Sequence, residues 1–193
     1  MIFRLLIFIL ENKIIFMRLV IFLADGFEDI EAFTVIDLMR RAGVNIDTVG
    51  VPGFQITSKS GIKVFVDKRL AEVKEEDYDG IVLPGGSKNV DILGRTTKVI
   101  EFLKKMYAQN KLIAAICAAP SILAKHGLLD NKKATIFPGM EKELPYPRGA
   151  RVVVDGNIIT SQAAGTSMDF ALTLVEKLVG KAKAMELRKN IVV

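Results

Sequence analysis

A chain of 193 residues, half of them apolar, can bury one sizeable core and is too short for more than two small domains. Lys and Arg number 27 against 22 Asp and Glu, a net charge of +5, but the basic residues are scattered, without a run of five or interleaved aromatics, which argues against nucleic acid as a partner. One cysteine rules out an intrachain disulfide, and one histidine with no Cys/His cluster argues against a metal site, so the composition is that of a cytoplasmic protein.

The opening MIFRLLIFILENKIIFM is strongly apolar, yet Arg4, Glu11, Asn12 and Lys13 interrupt it and leave no uncharged run long enough for a stable membrane span. It lacks the small-residue cleavage site of a signal peptide. Residues 1–16 therefore read as an apolar N-terminal extension outside the core, an added strand or the product of an upstream start codon, and 17–193 as a single domain. RLVIFLA (18–24) is the first expected strand, followed by a helix in DGFEDIEAFTVIDLMRRAG, where Asp25 and Glu28 are spaced as a capping box and Gly43 marks the stop. Strands follow at NIDTVGV (45–51), GIVLPG (80–85) and KLIAAI (111–116), with an amphipathic helix, TTKVIEFLKKMYAQN, before the last of these. APSILAKHG opens another helix, with Pro120 in its first turn. RVVVDGNIITS reads as a hairpin around Asp155, Gly156 and Asn157. GTSMDFALTLVEKLVG then forms a helix with Ala171, Leu172, Val175, Leu178 and Val179 on one face. The near-continuous apolar strands predict one doubly wound α/β domain, a mostly parallel sheet covered on both faces, which binds ligands outside the carboxyl ends of its strands.

Three features fall at that edge. Cys117 ends the KLIAAI strand and precedes a helix, a strand-to-helix elbow in which alanines stand where flanking glycines are usual. It is either a small apolar filler or a presented thiol, and in the second case the helix N-terminus is expected to draw it below the free value of about 8.5. Glu31 is in register with Val35, Leu38 and Ala42, which puts a carboxyl on an apolar helical stripe, either at its edge and reaching water or buried and paired. The PGG at 84–86 is either an ordinary turn or a place where backbone N–H groups converge on an anion.

ADGFEDIEAFTVIDLMRRAG, VLPGG, AAICAAPSILA and DGNIITSQAAGTSMDFALTLVEKL, in that order over residues 18 to about 180, resemble the ThiJ/PfpI superfamily, closest to the branch of the Parkinsonism-associated protein deglycase and its bacterial relatives. The resemblance implies a flavodoxin-like three-layer sandwich, usually a homodimer, working without a cofactor or metal. It implies Cys117 as nucleophile, Glu31 as its carboxyl partner, Gly85 and Gly86 as the PGG turn, and Ala118 as the elbow amide of an oxyanion hole. Two positions depart from the pattern. Members described as peptidases carry a histidine directly after the cysteine, where this chain has Ala118, and deglycase relatives often have Thr-His-Pro where this chain has Ile136, Phe137 and Pro138. His126 lies nine residues past Cys117, roughly 13 Å along a helix at about 1.5 Å per residue, and reads as structural or surface. Three functions are therefore weighed: turnover of reactive α-oxoaldehydes or of early protein glycation adducts, a redox-sensing chaperone using an oxidisable cysteine, and an intracellular cysteine peptidase.

Overall fold

The structure, a computed structural model, describes residues 17–193, and the extension read at 1–16 lies outside them. In chain order the first half comprises β1 (Arg18–Leu23), α1 (Asp29–Arg41), β2 (Asn45–Gly50), β3 (Gln55–Thr57), β4 (Lys63–Phe65), β5 (Lys68–Arg69), β6 (Gly80–Leu83), α2 (Ser87–Arg95) and α3 (Thr97–Ala108). The second half comprises β7 (Leu112–Ile116), α4 (Pro120–Lys125), β8 (Lys133–Ala134), β9 (Tyr146–Pro147), β10 (Val152–Asp155), β11 (Ile158–Ser161), α5 (Ser167–Val179) and α6 (Lys181–Asn190).

Strand side chains alternate between faces, so a strand that is apolar throughout needs cover on both. In β1, Leu19, Ile21 and Leu23 pack into one core with Val35 and Met39 of α1, Phe170 and Leu174 of α5, and Leu187 of α6. Val20 and Phe22 point the other way, to Leu93 of α2, Val99 and Phe102 of α3, and Ile122 of α4. Phe22 and Phe102 meet edge to face across that layer, their ring centroids 5.1 Å apart. The product is the expected α/β sandwich: one sheet ordered β10-β11-β7-β6-β1-β2-β5, parallel except for the β10–β11 hairpin, between two helical layers. From β1 the chain crosses to β2 on one side, whereas β6 lies on the other side of β1 and leads on to β7. The switch point of the topology thus falls between β1 and β6, and the segments leaving β1, β6 and β7 converge there.

Three local readings need correction. The capping box at the start of α1 does not form: Glu28 is the N-cap but makes no side-chain cap bond, because Lys59 takes its carboxylate at 2.8 Å, and Asp25 instead accepts the Thr57 N–H at 2.9 Å. Val179 is 44% exposed, since α5 ends beside it at Gly180. Helix α2, although amphipathic, and the β3–β4 hairpin are elements beyond those expected from the sequence. Among the described residues, no helix is long and apolar enough to cross a membrane.

Candidate active site

The site is built from three chain reversals at the carboxyl edge of the sheet. After β6 the chain turns through Pro84, Gly85 and Gly86 into α2, and two different pressures exclude side chains from that turn. A Cβ on Gly85 would stand 2.5 Å from Cys117 Cβ, 2.6 Å from Glu31 Oε2 and 3.1 Å from Cys117 Sγ, so the bare backbone is what admits both groups. Gly86 has φ +91° and faces the backbone of Gly26 and Glu28, where a Cβ would be both strained and crowded.

Helix α1 starts against this turn, with the Glu28 N–H donating to the Gly85 carbonyl at 3.2 Å. One turn further on, Glu31 is 1% exposed: the carboxyl on the apolar stripe does not reach water. The Gly85 N–H donates to its Oε2 at 2.7 Å. Oε1 is buried, faces no hydrogen-bond partner among the described residues, and the carboxyl lies beside the Cys117 thiol.

Cys117 follows β7 with φ +63°, a left-handed conformation that costs a non-glycine residue about 1–3 kcal/mol. Both ends of the residue are pinned: its N–H donates to the Ser161 carbonyl at 3.0 Å and its C=O accepts the Phe137 N–H at 2.9 Å. The amides of Ala118 and Gly86 face the sulfur, so the residues brought together are Cys117, Glu31, Gly85, Gly86 and Ala118. Their tasks divide: the Gly85 N–H is committed to Glu31, which leaves the Gly86 and Ala118 amides as donors at the sulfur. His126 is instead the C-terminal cap residue of α4 and lines a groove between α2 and α4. Among the described residues, no group of three His, Cys, Asp or Glu could hold a metal. A cavity of about 580 Å3 lies at the opposite edge of the sheet, by Met17, Asp79 and Leu112, and contains none of the site residues.

The electrostatics reverse the direction expected of the thiol. Burial pushes Glu31 up from 4.5 to about 7, against the lowering effect of the Gly85 N–H. Burial, then the charge of Glu31 and its acceptor contact, push Cys117 up to about 12, over the opposing amides of Ala118 and Gly86. Helix α4 is only six residues long and supplies too little dipole to win. Both contributions from Glu31 depend on its being ionised. When the carboxyl is protonated, its charge is gone and its O–H can donate to sulfur, so both contributions vanish and burial, the largest, is left opposing the two amides.

Asn89 is the residue that reading the sequence missed. It is fully buried on α2, accepts the Ala24 N–H at 2.8 Å and donates to the Pro84 and Gly85 carbonyls at 2.8 and 3.1 Å. It thereby clamps the end of β1 to the PGG turn. The sequence signal is an amide three residues beyond PGG, in a helix that is not among those expected from the sequence.

Residues 17–177 match the DJ-1/PfpI family. The chain is 38% identical over 178 residues to protein dj-1beta of Drosophila melanogaster, covering 90% of this chain and 95% of that protein. It is 35% identical over 183 residues to the Parkinson disease protein 7 homolog of Danio rerio, covering 91% and 96%. Among solved structures, Toxoplasma gondii DJ-1, oxidized, superposes with a TM-score of 0.88 at 33% identity, covering 91% of this chain and 98% of that one.

Replacing Asn89 by Ala leaves the Ala24 N–H and the Pro84 carbonyl without their partner, the Gly85 carbonyl keeping the Glu28 N–H, and urea unfolding should show a loss of at least about 2 kcal/mol. A second outcome concerns pH. A carboxyl raised in the folded state stabilises fully below its unfolded pKa and loses that contribution as pH rises through its folded pKa. The stability of wild type relative to Glu31→Gln should therefore fall by about 3 kcal/mol between 4.5 and about 7. A difference that stays flat over this window would show that the carboxyl is not perturbed.

Proposed function

The chain belongs to the DJ-1/PfpI family, and from that premise we propose that it is a cysteine-dependent, cofactor-independent enzyme acting on reactive α-oxoaldehydes or the early adducts they form with proteins. The observation that carries this reading is the buried Glu31 carboxyl, held by the Gly85 N–H against the Cys117 thiol and balanced at about 7 between its two protonation states. A group that must take a proton from one atom and return it to the next works best near its own pKa.

Glu31 takes the thiol proton as Sγ adds to the aldehyde carbon and gives it to the resulting alkoxide, which is held by the Gly86 and Ala118 amides. The carboxylate then removes the proton from the carbon now bonded to sulfur and delivers it to the neighbouring carbonyl carbon, while the hydroxyl proton passes to that carbon's oxygen. The first carbon is thereby oxidised to a thioester and the second reduced to an alcohol, with no outside oxidant. Water hydrolyses the thioester, releasing a 2-hydroxy acid and restoring the thiol. The net reaction adds one water to the α-oxoaldehyde.

A second reading uses the same pair: peroxide oxidises Cys117 to a sulfinate, which accepts a hydrogen bond from protonated Glu31. It is favoured by the likeness to a DJ-1 structure described as oxidized. The peptidase reading is the weakest, since Ala118 stands where a histidine would protonate a departing amine. We also propose a cytoplasmic location, from the composition, and a homodimer, because Phe33, Phe54 and Phe65 are exposed and adjoin one another on α1 and the β3–β4 hairpin.

With methylglyoxal as substrate, Cys117→Ser should abolish turnover and Glu31→Gln should lower kcat by about a hundredfold or more with the fold retained, as circular dichroism would report. Wild-type turnover in either variant overturns the mechanism, and absence of turnover in wild type alongside a peroxide-induced sulfinate at Cys117 turns the assignment to the redox reading. For the assembly, Phe65→Glu should convert a dimer to a monomer in sedimentation velocity; an unchanged coefficient would place any dimer contact elsewhere.

A further inference from the structure

A groove of about 360 Å3 runs between α2 and α4, within the range of about 300–1,000 Å3 typical of small-molecule pockets. One end is made by Ser87, next to Gly86, and by Ala118, so it opens beside the two residues whose amides face the sulfur. Val90, Gly94, Ile122 and Met140 give it an apolar lining. A Cβ on Gly94 would touch only Ile122 Cγ1, at 3.6 Å, so nothing from the protein fills the space above that residue. The charged side chains around it cancel: Arg95 and Lys125 stand against Asp91 and Glu143, and Arg95 is already paired with Asp91.

Resting on the oxoaldehyde reading, we propose that this groove is a subsite for an unbranched apolar tail, and that the substrate class is longer-chain α-oxoaldehydes rather than glyoxal or methylglyoxal. A substrate of two or three carbons is consumed at the sulfur and leaves the groove empty. The balanced charges give no preference for an anionic or cationic substituent, whereas each methylene seated on the apolar lining gains up to about 0.8 kcal/mol. Ala118 follows Cys117 and Ser87 follows Gly86 in the chain, so a tail seated in the groove is one residue from the site at which its aldehyde carbon would meet Sγ.

The chain has a single cysteine, so thiol labelling reports on this site alone and does not require turnover. The experiment compares rates of Cys117 alkylation by iodoacetamide and by N-hexyl iodoacetamide, each normalised to its rate with glutathione. In wild type the hexyl reagent should be faster by at least about tenfold, the worth of fewer than two fully buried methylenes. Gly94→Leu, which fills the groove on a helix that tolerates leucine, and Met140→Gln, which makes its lining polar, should each reduce that preference to about twofold while iodoacetamide itself reacts at the wild-type rate. Equal normalised rates in wild type, or a preference surviving in both variants, overturns the subsite. Hexyl preference without any α-oxoaldehyde turnover leaves the groove standing and removes the proposed reaction; turnover without the preference does the reverse.

Discussion

Glu31 Oε2 accepts the Gly85 N–H at 2.7 Å while its helix presents the same carboxyl to a buried apolar layer, and the arrangement of the site follows from that one bond. An ionisable group taken out of water must be held by donors or give up its charge. Here a single amide holds one oxygen, the other has no partner among the described residues, and the compromise is a carboxyl raised to about 7. The bond also fixes the glycine. Any side chain at position 85 would collide with the carboxyl and with Cys117, so the turn, the acid and the thiol occupy one space under one steric constraint.

Cys117 is shaped by the same economy of space. Its left-handed backbone is held at both ends by chain segments distant in sequence, Ser161 of β11 and Phe137 in the loop after β8. Strain of this kind persists only where the surroundings over-determine it. Asn89 extends the bracing to a third element by joining β1 to the turn after β6, the two strands that flank the topological switch point. The edge where these strands end is therefore tied together by hydrogen bonds between segments distant in sequence.

The immediate surroundings of the pair bring no titratable ring to it: Ala118 follows the thiol, and half-exposed Phe137 supplies its backbone N–H to the Cys117 carbonyl. Lys59 is the cation that feels both Cys117 and Glu31, yet its principal partner is Glu28, and that ion pair displaces the local cap expected at the start of α1. Glu31 is thus the carboxyl that lies against the sulfur, with Glu28 turned away from it to Lys59.

The sequence by itself determined the strands that are apolar throughout, the helices with a clear apolar stripe, and the placement of Cys117, Glu31 and the two glycines at one edge of the sheet. Periodicity and turn chemistry are local, and RLVIFLA or KLIAAI has few other ways to bury its side chains. Even Glu31 is legible as an anomaly, a carboxyl on an apolar face. Tertiary structure decided the rest: that Glu28 pairs with Lys59 instead of capping, that Asn89 is a buried clamp, that Gly85 serves Glu31 while Gly86 serves the sulfur, and that the thiol is raised where a helix terminus alone would lower it. Burial and charge act through space between segments 30 or more residues apart. Helix register fixes which side of α1 Glu31 occupies, but only the packed sheet brings the Cys117 sulfur to that side.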